Sequence, residues 1–232
     1  MTIRILSLVA VLATALPAIS APTRYLDSGA FDGDTTSLPF STVDFDSVLA
    51  DTAISSGSTF DGLTFTYNSG LDPDELAIIY KPDSVNNYDT TSAPAYLGLD
   101  GDELINDGVS FTISNPTGLG FNAFSFQVVS PDQLVFTDDV QVTVSSSTFD
   151  ITNATFDNEL PNGGGFRYFF GVHDPMNSFS SVTISTPTAG GVSGYFGIDD
   201  IRFSAATAVP EPGALTFLAF GACLVSIRRR RR

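Results

Sequence analysis

Two pairs of closely spaced aspartates are the side chains whose types and spacing best suit a chemical role. Asp44 and Asp46 flank Phe45, and Asp199 and Asp200 adjoin each other near the other end of the chain. If the first and last strands are neighbours, the four carboxylates converge. Their mutual repulsion would then favour a bound Ca²⁺, which prefers carboxylate oxygens. The alternative is that some of them face solvent or form turns.

Catalytic chemistry has little support in the sequence. His173 is the sole histidine, too few for a histidine-based zinc site. The segment Gly191-Val192-Ser193-Gly194 has the wrong spacing for a Gly-x-Ser-x-Gly nucleophile elbow. No local signature identifies a glycosidase pair of carboxylates. We therefore predict that the protein is not an enzyme, and we assign no catalytic residue.

The second aspartate pair interrupts the last apolar run of the chain. Phe196 and Ile198 share one side of an extended strand, whereas Ile201 and Phe203 share the other. One extra residue at Asp199-Asp200 would bring both apolar pairs to one face. The pattern therefore predicts a β-bulge at these aspartates.

Short strands are the elements that would position these residues. Apolar and polar residues alternate in about ten runs separated by Gly, Pro, Asn, Asp and Ser, with no sustained helical period. This predicts an all-β fold, an antiparallel β-sandwich in which each strand has one solvent-exposed face. Two runs that are apolar on both sides, 77–80 and 168–170, indicate central or covered strands. Two sets of alternating residues are predicted to face one core from neighbouring strands: Phe124, Phe126 and Val128, and Val140, Val142 and Val144.

The region 21–208 is strongly acidic. It contains all of the chain's 26 acidic residues except Glu211, against four basic residues, so its net charge is about −21. A nucleic-acid-binding protein needs the opposite sign. The only cysteine, Cys223, lies outside this region, so no disulfide stabilises it.

Both ends of the chain carry export features. Residues 1–20 have an early positive charge at Arg4, an apolar run, and small residues before Ala21, which is typical of a secretory signal peptide. At the other end, Val209-Pro210-Glu211-Pro212 precedes an uncharged stretch at 213–227 and five arginines at 228–232. That stretch is shorter than the roughly 20 residues of an ordinary spanning helix, but flanking arginines can reach the headgroups. The alternative is an ordinary anchor with incidental prolines.

This three-part tail resembles the PEP-CTERM sorting signal. The resemblance implies recognition and cleavage by exosortase, after the secretion machinery has exported the protein from a Gram-negative-type bacterium. It implies a transient inner-membrane anchor and a final place at the cell surface or in the extracellular matrix of a biofilm. The expected organisation is a signal peptide (1–20), a β-sandwich domain (21–204), a linker (205–208) and a sorting signal (209–232) with a short transmembrane helix.

The run 197–203 also resembles the closing strand of jelly-roll modules found before such tails. Carbohydrate-binding jelly rolls of this kind often hold a structural Ca²⁺ near such an aspartate, which here would involve Asp44, Asp46, Asp199 and Asp200. The predicted role is structural or adhesive. The alternative is a carbohydrate-binding module acting on exopolysaccharide. Without tryptophan, its candidate sugar platforms are Tyr67, Tyr80, Tyr88 and Tyr96, although packing of these rings against the sandwich is the preferred interpretation.

Overall fold

The computed structural model describes residues 21–67, 75–80, 90–92, 94–100, 104–131, 140–151, 156–159, 164–186 and 195–206. The predicted signal peptide and sorting signal lie outside these residues, as does Tyr88. Within the described ranges, no helix is long and apolar enough to cross a membrane.

The described chain consists of short strands and one short helix. In order, these are β1 (Thr23–Tyr25), α1 (Ser28–Thr35), β2 (Ser41–Val43), β3 (Thr52–Ala53), β4 (Ser58–Phe60), β5 (Leu63–Tyr67), β6 (Leu76–Tyr80), β7 (Ala95–Leu99), β8 (Ser110–Ser114), β9 (Phe121–Ser130), β10 (Val140–Val144), β11 (Ser147–Ile151), β12 (Phe156–Glu159), β13 (Phe166–His173), β14 (Ser181–Ser185) and β15 (Gly197–Ala205).

The strands form two antiparallel sheets. The larger sheet has nine strands, with the order β1-β13-β9-β15-β7-β6-β3, while β12 pairs with β13 and β2 pairs with β15. The smaller has six, in the order β11-β10-β14-β8-β5-β4. Buried side chains from both sheets form one apolar cluster between them. The predicted all-β, antiparallel sandwich is therefore confirmed.

The core contains the two alternating runs that the sequence singled out. Phe124, Phe126 and Val128 on β9 and Val140, Val142 and Val144 on β10 are all fully buried in the shared cluster. Their predicted pairing as neighbouring strands is wrong, because β9 pairs with β13 and β15 in one sheet, and β10 pairs with β11 and β14 in the other. Alternation determines which face of a strand is apolar, but it does not determine its partner.

Part of the outer face of the nine-stranded sheet is also buried, contrary to the prediction of one solvent-exposed face for each strand. Helix α1 lies on part of it, capped where the Asp27 carboxylate accepts a hydrogen bond from the Ala30 N–H at 2.7 Å. Phe31 packs on Phe169 with ring centroids 5.6 Å apart. A Cβ at Gly171 would lie 2.7 Å from the Phe31 ring, so glycine permits this close approach. The strand pattern that is apolar on both faces at 168–170 is thereby explained.

Candidate functional site

The predicted bulge is present in β15. Asp199 is opposite Gln127 on β9, and Arg202 is opposite Ser125, so β15 takes three steps where β9 takes two. The extra residue allows Ile198 and Ile201, on either side of the aspartates, to be buried in the same core cluster. Asp200 has a φ of 49°, the left-handed conformation that a bulge residue can adopt.

Strand β2 brings the first aspartate pair to the bulge. Val43, the last residue of β2, lies opposite Ile201 of β15. Phe45 then has a φ of 60° and is fully buried, with its ring stacked on Phe60 at 5.8 Å between centroids. This left-handed step, unusual for a bulky residue, turns the chain directly beside the bulge.

The pKa of Asp46 is affected by one aspartate from each pair. Burial raises the pKa of the Asp46 carboxyl, and the negative charges of Asp44 and Asp200 raise it further. Two hydrogen bonds act in the opposite direction, one from the Ala95 backbone and one from the Ser92 side chain. Asp46 therefore lies close enough to Asp44 and Asp200 for their negative charges to act on its carboxyl group.

Asp199 occupies a different environment from the other three aspartates. Its side chain lies on the same outer face of the sheet as Gln127, yet it is fully buried. Oδ2 accepts hydrogen bonds from Thr91 N (3.0 Å), Thr91 Oγ1 (2.8 Å) and Ser92 N (2.9 Å). Oδ1 accepts hydrogen bonds from Asp200 N (2.8 Å) and Ser92 Oγ (3.2 Å). The carboxylate therefore ties the segment 90–92 to the bulge.

Burial and hydrogen bonding act on the Asp199 carboxyl in opposite directions. Burial is the largest effect and raises its pKa to about 7, with the neighbouring charge of Asp200 adding to the increase. The hydrogen bonds from Ser92, Thr91 and Asp200 lower the pKa without cancelling the effect of burial. The group is therefore poised to change its charge near neutral pH.

Arg202, the nearest cation in sequence, is engaged elsewhere. Its Nη1 lies 2.7 Å from Oδ1 of Asp32 on α1, and its guanidinium carbon lies 4.9 Å from the centroid of the Phe40 ring. Two buried oxygens on the same outer face, Ser125 Oγ and Gln127 Oε1, have no hydrogen-bond partner among the described residues. The buried carboxylate of Asp199 is therefore stabilised by hydrogen bonds rather than by this arginine.

The structure adds no support to the predicted calcium site. No group of three or more His, Cys, Asp or Glu side chains in the described ranges is arranged to hold a metal ion. The oxygens of Asp199 already accept hydrogen bonds from five donor groups, which leaves little capacity for a cation. Asp44, Asp46 and Asp200 lie nearer the surface, but they do not form such a group either. Calcium binding here stays a prediction.

Thr91 and Ser92 are the site residues that sequence reasoning missed. They belong to a polar segment far from the bulge in sequence, and neither is part of a recognisable motif.

The candidate sugar-binding tyrosines differ in how far they are exposed. Tyr67 and Tyr96 are buried, as the packing interpretation predicts, and Tyr80 is half-buried.

Comparisons with known proteins assign no family to the chain. No protein-family profile matches it, and no curated protein does. Among solved structures, the chain is similar to the K2 cleaved adhesin domain of Lys-gingipain, with a TM-score of 0.45 and 13% identity, over 72% of this chain and 98% of that one. A likeness at this level carries no argument about function.

Proposed function

We propose that the protein is an exported component of the cell surface or extracellular matrix, with a structural or adhesive role, delivered by an exosortase-type C-terminal signal. The observation that carries the proposal is the order of Pro210-Glu211-Pro212, the apolar stretch 213–227 and the arginines 228–232. In the structure, β15 ends at Ala205, a few residues before Val209 and Pro210 in the sequence.

The composition of the domain favours a structural role over direct binding of an anionic polymer. A net charge of about −21 repels other polyanions unless a cation bridges them. A carbohydrate-binding module would also need exposed rings, and two of its four candidate tyrosines are buried. Calcium held by Asp44, Asp46 and Asp200 would suit either role, as a structural ion or as a bridge.

The proposal is tested by the C-terminus of the mature protein in a bacterium that has an exosortase. Mass spectrometry of the surface fraction should find a chain that lacks 213–232. In a strain without the exosortase gene, the chain should retain these residues. Glu211→Ala should accumulate as unprocessed, membrane-bound protein. The control Glu75→Ala changes an exposed glutamate outside the motif and should be processed normally. Surface protein that still ends at Arg232 would contradict the proposal.

The role of the domain is tested separately from its sorting. Purified mature protein should not bind the host's exopolysaccharide in a chelator. Saturable binding under these conditions would favour the carbohydrate-binding alternative, and it would leave the sorting proposal intact.

A further inference from the structure

One end of the sandwich combines the exit of the chain with exposed apolar side chains. Strands β8 and β13 run towards this end, β9 and β14 start from it, and β15 finishes on it. Its two loops, 115–120 and 174–180, carry Leu119, which is 45% exposed, and Met176, which is 76% exposed. We call this surface, formed by the two loops and Ala206, the exit end.

Main-chain hydrogen bonds hold the exit end together. Phe121 and Phe179 exchange N–H···O bonds of 2.8 and 2.9 Å, which join the two loops. The N–H of Ala206 donates to the carbonyl of Gly120 at 3.0 Å, so the departing chain is fixed to the loop that presents Leu119. Gly120 has a φ of 78°, and a Cβ there would lie 2.5 Å from the carbonyl oxygen of Phe179. The two apolar side chains are thus presented by a defined framework.

The exit end carries little charge for so acidic a protein. The only ionisable residue in its two loops is Asp174, which is buried and accepts hydrogen bonds from the N–H groups of Met176 and Asn177. The adjoining β4–β5 turn adds one acidic residue, Asp61. At the opposite end, Glu75, Asp100 and Asp107 lie beside the ends of β6, β7 and β8. Of these exposed acidic residues, three therefore lie at the opposite end, and one, Asp61, lies beside the exit end.

We propose that the exit end lies against the lipid bilayer while the C-terminal tail anchors the protein, with Leu119 and Met176 in contact with the membrane interface. The inference rests on the proposed function, since it requires 213–227 to be in the membrane. Only 207–212 separate Ala206 from that stretch, and six extended residues reach about 20 Å. The ten residues of β9 alone span about 33 Å, so the tether is shorter than the sandwich.

Electrostatics favour the same orientation. Anionic lipid repels a protein of this charge, but the repulsion falls off within a Debye length of about 8–10 Å. Placing the exit end on the bilayer keeps Glu75, Asp100 and Asp107 well beyond that distance. Two apolar side chains bind an interface weakly by themselves, but the tether makes their contact intramolecular and raises its effective concentration.

The test uses residues 21–232, without the predicted signal peptide, in phosphatidylcholine vesicles that contain nitroxide-labelled lipid. Cys223→Ala removes the native thiol, and single cysteines then carry a fluorophore at Met176→Cys or at Ser178→Cys, an exposed neighbour in the same loop. Asp107→Cys, exposed at the opposite end, is the matched control. Flotation with the vesicles reports anchoring independently of the labels.

We expect the nitroxide lipid to quench labels at 176 and 178 severalfold more strongly than the label at 107. Leu119→Ser combined with Met176→Ser should reduce the quenching at 178 without changing flotation. If the chain floats but all three labels are quenched equally, the membrane contact is overturned and the anchor stands. If the double serine variant keeps full quenching at 178, the apolar contact is overturned. If the chain does not float, the proposed anchor fails and the inference fails with it.

Discussion

Replacing Asp199 by asparagine tests how the sandwich accommodates a buried carboxylate. Asparagine has nearly the same size, and its carbonyl oxygen can still accept the hydrogen bonds that Thr91 and Ser92 donate to Oδ2. The substitution therefore removes the titratable charge while it preserves most of the packing. The amide nitrogen would replace Oδ1, so the Asp200 N–H would lose its acceptor, while the Ser92 hydroxyl could instead accept a hydrogen bond from the amide.

The magnitude follows from the pKa of Asp199. Burial raises this pKa from 3.8 to about 7. Between pH 3.8 and about pH 7, the carboxyl group is therefore protonated in the folded state and ionised in the unfolded state. The contribution of this carboxyl to stability is fully present below pH 3.8 and is lost as the pH rises through about 7. The two pKa values differ by about three units, and each unit corresponds to about 1.4 kcal/mol, so the loss of stability amounts to about 4 kcal/mol.

The assay is urea unfolding of residues 21–206, in chelator, from pH 4 to pH 8. The free energy of unfolding of the wild type, relative to Asp199→Asn, should fall by about 4 kcal/mol over this range. Asp107→Asn, at an exposed position, should show a flat difference. A flat or rising difference for Asp199→Asn would refute the reasoning, because it would mean that the hydrogen bonds from the five donor groups outweigh burial and keep the pKa of Asp199 near or below its ordinary value.

Two further predictions concern the core and the calcium site. Phe126 is fully buried, and its ring centroid lies 5.4 Å from that of Phe170. Phe126→Ala should therefore lower the free energy of unfolding by about 3–5 kcal/mol. A change below about 1 kcal/mol would show that the surrounding side chains collapse into the space. If Asp44, Asp46 and Asp200 bind Ca²⁺, the domain should melt at a higher temperature in millimolar Ca²⁺ than in chelator, by an amount equivalent to about 2.7 kcal/mol at a hundred times the Kd. Asp200→Ala should abolish that difference and Asp107→Ala should not, while equal melting temperatures at matched ionic strength would exclude the site.

The sequence predicted strands well where a clear apolar alternation marks them. The inward faces of β9 and β10 were identified correctly, and the predicted runs 77–80 and 168–170 lie within β6 and β13. Helix α1 was missed because its eight residues include Gly29 and Gly33 and bury only Phe31 and Thr35, which gives no amphipathic stripe. Its contact with the sheet stabilises it, and a local pattern does not reveal such a contact.

The candidate site was predictable to the extent that its signals are local. The bulge follows from the change of alternation along one segment, which Phe196 and three apolar residues of β15 define. The convergence with Asp44 and Asp46 depended on a resemblance to jelly rolls, and the pairing of β2 with β15 provides it. The contacts of Asp199 with Thr91 and Ser92 join positions separated by 108 and 107 residues, a distance over which periodicity carries no information.

The backbone supplies a reason for aspartates at the bulge that is independent of any ligand. Without the extra residue, either Phe196 and Ile198 or Ile201 and Phe203 would leave the core, so β15 needs a residue that accepts a positive φ. Aspartate is one of the few non-glycine residues that adopt this conformation readily, which accounts for Asp200. Asp199 then points to the outer face, where its hydrogen bonds to 91 and 92 hold a segment over the sheet. A cation at this site would therefore add to an arrangement that the fold already requires.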